Sequence, residues 1–342
     1  MNALDKKKYT IYLHPQITEN EYKEVMPLSN KSIFVKIYYE IKIYFRMRKA
    51  LKADIKNGVD TVIISRRILN RIFPNSFKKC LVKMKQKDNT KIIWDFDDQI
   101  LITKEISKSG FDFLSRISDY IIVTQENLKS LISNEFINKV LLLPTTDGDI
   151  YQEIDSNVVE SRKYTLSKVI NLIWIGTQGN LKFLEPVIPV LDQISEKLNK
   201  KIKMIIVSDG KVEQNTKYIE ISNIKWSRRD AIEQLKIAHI GLMPLIDTEF
   251  TRGKAGFKLV QYLSASLPII GSNVGFNKKI CDSSVGKLVN NFSDINELLE
   301  AINFCTSSEA SWYQLSINAR KKWLDNFDYQ NNLRILETII NM

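Results

Sequence analysis

The stretch TRGKAGFKLVQYLSASLPIIGSNVG, residues 251–275, carries Lys254, Lys258 and Gln261 at spacings of four and three. If a helix starts near Gly253, these three side chains share one face, while Leu259, Leu263 and Leu267 share another that suits packing on a sheet. Lys254 then falls in the first helical turn, where free backbone N–H groups and the helix dipole already attract an anion. A purely structural role selects acids in that turn. Cations there, with Arg252 just before them, point to a bound polyanion; the competing reading is a solvated lysine face.

The second cluster is WDFDDQ, with Asp95, Asp97 and Asp98 at the end of a strand pattern. Alternation places Asp95 and Asp97 on one face. Carboxylates this close repel one another, so water, a cation or hydrogen bonds must offset the cost. A metal-binding DxD motif, the phosphoaspartate loop of a phosphatase and a polar, N-capping strand end all fit three such acids.

The elements that must position these groups follow from the hydrophobic pattern. Short apolar runs alternate with longer helical patterns, which argues for α/β domains with mainly parallel sheets. The expected strands are 9–14, 61–65, 91–95, 120–124 and 140–144 in the first half. In the second half they are 171–176, 203–207, 239–245, 268–271 and 287–289. Residues 184–199 and 294–304 have the apolar spacing of amphipathic helices. The polar segment 147–168 reads as a linker. Residues 31–52 satisfy both periods, but their length favours a helix. Such a helix is either part of the first domain's core or an interfacial helix with basic residues toward anionic headgroups.

The chain has 342 residues and a net charge of +11. Residues 1–90 hold 20 Lys and Arg against 8 Asp and Glu, so the excess belongs to this first quarter. A patch of this kind attracts nucleic acid, an anionic membrane face or a phosphorylated substrate. No nucleic-acid-binding motif accompanies it. Three scattered cysteines and no apolar leader fit a cytoplasmic protein without disulfides. Only His14 and His239 are present, so a histidine-rich metal site is not expected. His14 stands at the end of the first expected strand, and His239 reads as a buried structural residue. GxGxxG, GxxxxGK[ST], HExxH and GxSxG are all missing, which argues against dehydrogenase, NTPase, zinc-protease and serine-hydrolase chemistry.

GKAGFKLVQYLSASLPIIGSNVGFNKKI resembles the donor-domain signature of retaining GT-B glycosyltransferases of the group 1, or family 4, type. That group includes sugar transferases of bacterial surface polysaccharide. NLIWIGTQGNLKFL, KWSRRDAIEQLKIAHIGLMPLID and SINARKKWLDNFDY are similar to other parts of the same domain. VDTVIISRRI, KIIWDFDDQIL and SDYIIVTQENLKSLI are similar to its acceptor domain. The resemblance implies two Rossmann-like parallel-sheet domains facing across a cleft. Residues 1–160 would bind the acceptor and 161–325 the donor, with 326–342 forming a helix that packs back toward the first domain.

Residue by residue, the resemblance implies that Arg252, Lys254 and Lys258 neutralise a nucleotide diphosphate, with Lys182 nearby. Gln261 stands where the family's second glutamate holds the ribose, and Gly253 where its first glutamate is expected. Thr177 replaces a usual arginine. Gly176, with Gly179 beside it, and Gly275 let the backbone approach the donor. Trp226 lines the base pocket or belongs to the core. Asp97 or Asp98 would contact sugar or acceptor in the cleft. The implied reaction moves a sugar from a nucleotide-sugar, a substrate rather than a cofactor, to a glycan or lipid-linked saccharide. It implies retention and no obligatory metal. The basic first quarter would then hold the acceptor domain peripherally against the anionic inner face of the cell membrane, where lipid-linked acceptors reside. Two other readings stay open: a non-catalytic GT-B-like partner subunit and a nucleotide-sugar epimerase.

Overall fold

The computed structural model of the chain describes residues 4, 8–18, 20–21 and 32–342. It divides into two compact units. One comprises Met1–Leu143 with Leu333–Met342, the other Pro144–Asn332.

The first unit is built on four parallel strands in the order β1-β2-β3-β4: β1 (Thr61–Ser65), β2 (Lys91–Phe96), β3 (Tyr120–Val123) and β4 (Val140–Leu142). Strand alternation sends Trp94, Phe96, Ile121 and Val123 to one face. There they pack with helices α1 (Ile33–Asn57), α2 (Asn75–Asp88) and α3 (Lys108–Ile117) through Leu51, Phe77, Leu81 and Phe111. The intervening Ile93 and Ile122 point the other way, onto Ile339 of α10 (Tyr329–Asn341). Lys91 Nζ also donates to the carbonyls of Ile339 and Ile340 at 2.9 Å, which places a cation at the end of α10 where the dipole favours it.

Residues 9–15 form no strand. Side chains tie this segment instead: Asn341 donates to the Tyr9 hydroxyl, and His14 Nε2 lies 2.8 Å from Asp54 of α1. The segment 31–52 is helical from Ile33 onward; Lys31 lies outside the described residues. Only part of α1 belongs to the core, with Met47 and Leu51 buried. Among the described residues no helix is long and apolar enough to cross a membrane.

The second unit has six parallel strands in the order β10-β9-β8-β5-β6-β7. These are β5 (Ile170–Ile175), β6 (Ile202–Ser208), β7 (Ile219–Lys225), β8 (Ile240–Met243), β9 (Ile269–Ser272) and β10 (Gly286–Val289). Counted from β5, this is the doubly wound order, in which the chain runs outward from β5 to one edge and then from β8 to the other. All residues of β5, β8 and β9 are buried, which is why they read as largely apolar runs, with Asn171 and Ser272 the polar exceptions. The edge strand β7 was not foreseen from the sequence. Its residues are mostly half-exposed, and Glu220, Ser222 and Asn223 interrupt its apolar character.

The segment 147–168 is not a linker. It contains the helix α4 (Ser156–Leu166), and the division between the units falls at 143/144 rather than near 160. Arg162 of α4 is fully buried without a carboxylate. It donates to Leu235 and Lys236 carbonyls at the end of α6 (Arg228–Ile237) and to Ala265 and Ser266 carbonyls at the end of α7 (Phe257–Ser264). Its charge thus satisfies two helix C-termini at once. Burial, with Arg320 nearby, lowers its pKa to about 9.

His239 follows α6 and lies in the core. Its Nδ1 accepts from Asn171 N at 2.8 Å, and its Nε2 meets the Arg162 carbonyl and Thr165 hydroxyl. Burial drives its pKa down to about 4, so it is neutral and structural, as its apolar strand context suggested.

Candidate active site

The strand order of the second unit reverses between β5 and β8, and open α/β sheets hold ligands outside the carboxyl ends of strands at such a point. The two strands pair only through Leu172 with Ile240 and Ile173 with Gly241. Beyond that they splay, and Tyr262 of α7 fills the gap. Its hydroxyl accepts from Ile175 N at 3.0 Å and donates to Leu242 O at 3.3 Å. A Cβ on Gly241 would sit 2.2 Å from the Tyr262 ring, so the strand needs glycine where the ring crosses it. Tyr262 was not singled out from the sequence. The glycine in an otherwise apolar strand was the readable signal.

A small pocket lies at the ends of these strands. It is lined by Trp174, Asn180 and Phe183 from the β5 side, Met243, Pro244 and Leu245 after β8, and Lys254 and Lys258. None of these eight residues is acidic. Lys258 Nζ lies 5.5 Å from the Trp174 ring centre and Lys254 Nζ 4.5 Å from that of Phe250. Both contacts suit cations over aromatic faces. Gly176 ends β5 under the same lysine: a Cβ there would meet Trp174 at 2.5 Å and the Lys258 side chain at 2.9 Å.

The helix carrying these groups starts later than the spacing suggests. Residues 249–252 form a separate turn with a Thr248–Thr251 capping box, and α7 begins at Phe257 after Gly256, whose φ is +65°. The helix that the lysine spacing implies is interrupted at Gly256. Lys258, not Lys254, therefore occupies the first turn of α7, and that turn contains no acid. Lys254 reaches the same pocket from the connecting loop. Gly275, with φ +53°, fixes that loop: a Cβ at this position would lie 2.5 Å from the Arg252 carbonyl.

The remaining residues do not line the pocket. Arg252 is exposed and held by Asp247 through Nε at 2.7 Å and Nη2 at 3.1 Å, a pairing that raises its pKa. Thr177 accepts from Asn180 Nδ2. Lys182 is exposed, its Nζ 5.2 Å from the Phe183 ring centre. Trp226 follows β7 and is 48% exposed, so it is not a core residue. Gln261 is buried, and its amide donates at 2.9 Å to Asp147, a residue the sequence reading passed over. Arg228 grips the same carboxylate through Nη1 and Nη2. The hydrogen bonds of Arg228 and Gln261 hold the Asp147 pKa below its ordinary value against the opposing effect of burial.

In the first unit, WDFDDQ also lies at a carboxyl edge. Arg66, in left-handed backbone geometry at φ +59°, places Nε 3.3 Å from Asp97 and Nη2 2.6 Å from Asp98. Arg67 pairs with Glu105. Asp95 sits below them; burial first, and the Asp97 charge second, push its pKa up to about 6. The arginines of SRR were not singled out from the sequence, although two cations directly after a strand were legible. Among the described residues no group of three or more His, Cys, Asp or Glu is arranged to hold a metal ion.

No protein-family model matches the chain, and no curated protein matches it. Solved structures do resemble it. A sucrose-phosphate synthase from Thermosynechococcus elongatus aligns at 13% identity over 88% of this chain and 78% of that one, with a TM-score of 0.63. A glycosyltransferase from Rickettsia africae aligns at 15% identity over 91% and 82%, with a TM-score of 0.60. The Anabaena protein HepE, in complex with UDP and glucose, aligns at 12% identity over 87% and 81%, with a TM-score of 0.61. At these identities the likeness shows the fold alone, and the fold is that of the GT-B glycosyltransferases: two Rossmann-like, all-parallel α/β domains.

Proposed function

We propose that this chain is a glycosyltransferase that takes a sugar from a nucleotide-sugar donor. The observation that carries this reading is the acid-free pocket at the β5–β8 switch point, where Lys254 and Lys258 converge. In this reading the two ammonium groups hold the diphosphate and stabilise the charge that develops as it departs, while Gly176 keeps the space above Trp174 open. Arg252 joins them by exchanging Asp247 for phosphate, Lys182 approaches from the β5 turn, and Trp226 offers a ring for the base. Gln261 acts by holding Asp147, or turns from it to the ribose when donor binds. The acceptor is a glycan or lipid-linked saccharide, transfer proceeds with retention, and the product belongs to surface polysaccharide. Asp97 or Asp98 contacts acceptor or sugar hydroxyls from the first unit. Neither a metal nor a cofactor is part of this reading.

Thermal-shift measurements with UDP, GDP, CMP and ADP test the donor site, followed by product analysis with the sugar conjugate of the best binder. Stabilisation by one diphosphate and sugar transfer without added metal are expected. Stabilisation by none of them would overturn the reading. A second reading, a partner subunit that scaffolds another transferase, draws on Gly253 standing where the resemblance places a glutamate. It predicts no turnover with any donor.

A further inference from the structure

The side of α1 that leaves the core is chemically divided. At 3.6 residues per turn, Phe34, Ile37, Tyr38, Ile41 and Phe45 share one stripe. All five are exposed, Phe34 by 80% and Tyr38 by 61%. Toward the C-terminus the same stripe continues as Arg48, Lys49, Lys52 and Lys56, which are exposed as well. Among the described residues no carboxylate lies on it. Asp54 is buried beside His14, Glu40 lies outside the stripe, and Glu21 engages Lys42 and Arg46 on the opposite flank. The opposite side of α1 packs on the first unit's core through Met47 and Leu51, and Tyr44 sets its ring 5.4 Å from Phe77 of α2. That packing fixes which side faces out. Helix α2 adds exposed Lys79, Lys83 and Lys87 to the same unit's surface.

A contiguous exposed apolar stripe marks a surface that something covers. Charge decides what. A second copy of this chain would bring the same cations and no acids to meet them. An apolar protein groove would accept the aromatic half and leave four cations unanswered. An anionic lipid surface takes both halves: rings and aliphatic groups enter the headgroup–acyl boundary, and the basic residues lie over phosphates. We propose that α1 is an in-plane membrane anchor for anionic bilayers, with Phe34–Phe45 as its inserted half and Arg48–Lys56 as its electrostatic half. This surface is independent of the donor site. A chain that binds nucleotide but no vesicle keeps the proposed function and loses this inference.

The test is co-sedimentation of the full chain with vesicles of phosphatidylcholine alone or with about a third phosphatidylglycerol. The anionic vesicles should bind it at least about tenfold more strongly, and binding should weaken as salt rises. Phe34→Ser with Phe45→Ser should cut binding at least about tenfold, since each removes an inserted ring. Arg48→Glu with Lys52→Glu should reduce binding to the level seen with phosphatidylcholine. All four sites are exposed, so unchanged melting temperatures are expected and confirm intact folding. Equal binding to both vesicle types, no binding, or variants that bind like the parent would overturn the proposal. So would a solution dimer that the Phe34→Ser, Phe45→Ser variant dissociates, because α1 would then be a protein interface.

Discussion

The carboxyl edges of the two sheets solve the same problem differently. In the first unit, Arg66 spans Asp97 and Asp98, and Arg67 pairs with Glu105, so the charges answer one another within the protein. In the second unit, Lys254 and Lys258 enter a pocket whose lining holds aromatic and aliphatic groups and no acid. The first arrangement is stable by itself. The second sets two cations against the Trp174 and Phe250 rings, and the proposed function assigns them a diphosphate. Strongly charged sequence clusters therefore do not mark equivalent sites: in DFDD, Asp97 and Asp98 are bridged by Arg66, whereas the lysines of GKAGFK line a pocket whose other residues are neutral.

The largest effect expected from this contrast is on turnover. Lys254→Ala with Lys258→Ala should lower kcat/KM for sugar transfer by about 100-fold or more, the usual scale for removing charge-stabilising donors, with no loss of folded structure. Arg66→Ala should leave nucleotide binding unchanged. If Arg66→Ala weakens nucleotide binding as much as the lysine variant does, the contrast between the two edges fails.

The pH responses of the units should have opposite sign. His239 has a folded pKa of about 4 against 6.5 when unfolded, so its contribution is complete above 6.5 and is lost as pH falls toward 4. Asp95 has a folded pKa of about 6 against 3.8, so it favours folding below 3.8 and that contribution is lost as pH rises through 6. Moving from pH 8 to pH 5 should cost the second unit about 2 kcal/mol and return about 1 kcal/mol to the first. Hydrogen-exchange protection, read separately on β1–β3 and on β5–β9, resolves the two. Parallel changes in both units would contradict this assignment. Asp95→Asn should flatten the response of the first unit alone.

Tyr262→Phe removes the bridge between the splayed ends of β5 and β8 and leaves the buried Ile175 N–H without its acceptor. A loss of about 1–3 kcal/mol in the second unit is expected from denaturant unfolding. Nucleotide affinity should fall with it, because the hydroxyl ties together the ends of β5 and β8 that carry the pocket's lining. Arg66→Ala should have the smallest effect, about 1 kcal/mol on the first unit, since the pairs it breaks are partly exposed.

Much of this architecture was legible beforehand, for a physical reason. Buried parallel strands must be apolar on both faces, and β5, β6, β8 and β9 announce themselves that way. The misreadings occur where local pattern and tertiary context diverge. Residues 9–14 alternate like a strand but are tied by side chains. Strand β7 is half-exposed and polar, and 147–168 is polar because Arg162 and Asp147 work through hydrogen bonds rather than apolar burial. Within the candidate site, lysine spacing suggested a single helix face, whereas Gly256 in left-handed geometry separates a turn from a helix. The convergence of Lys254 and Lys258 survives that division because both approach the end of β5 from different elements. Tyr262, Arg66 and Asp147 stayed hidden, since a tyrosine in an apolar helix, an arginine after a strand and an aspartate in a polar stretch all have commoner explanations.

The central claim is that the pocket between β5 and β8 grips a nucleoside diphosphate through Lys254 and Lys258. Titration calorimetry with the best-stabilising diphosphate, on the parent chain and on the Lys254→Ala, Lys258→Ala variant, tests it most directly. The account predicts saturable binding by the parent and an affinity at least about 100-fold weaker in the variant, as expected for losing two charge-assisted contacts. Equal affinities in the two proteins would contradict it.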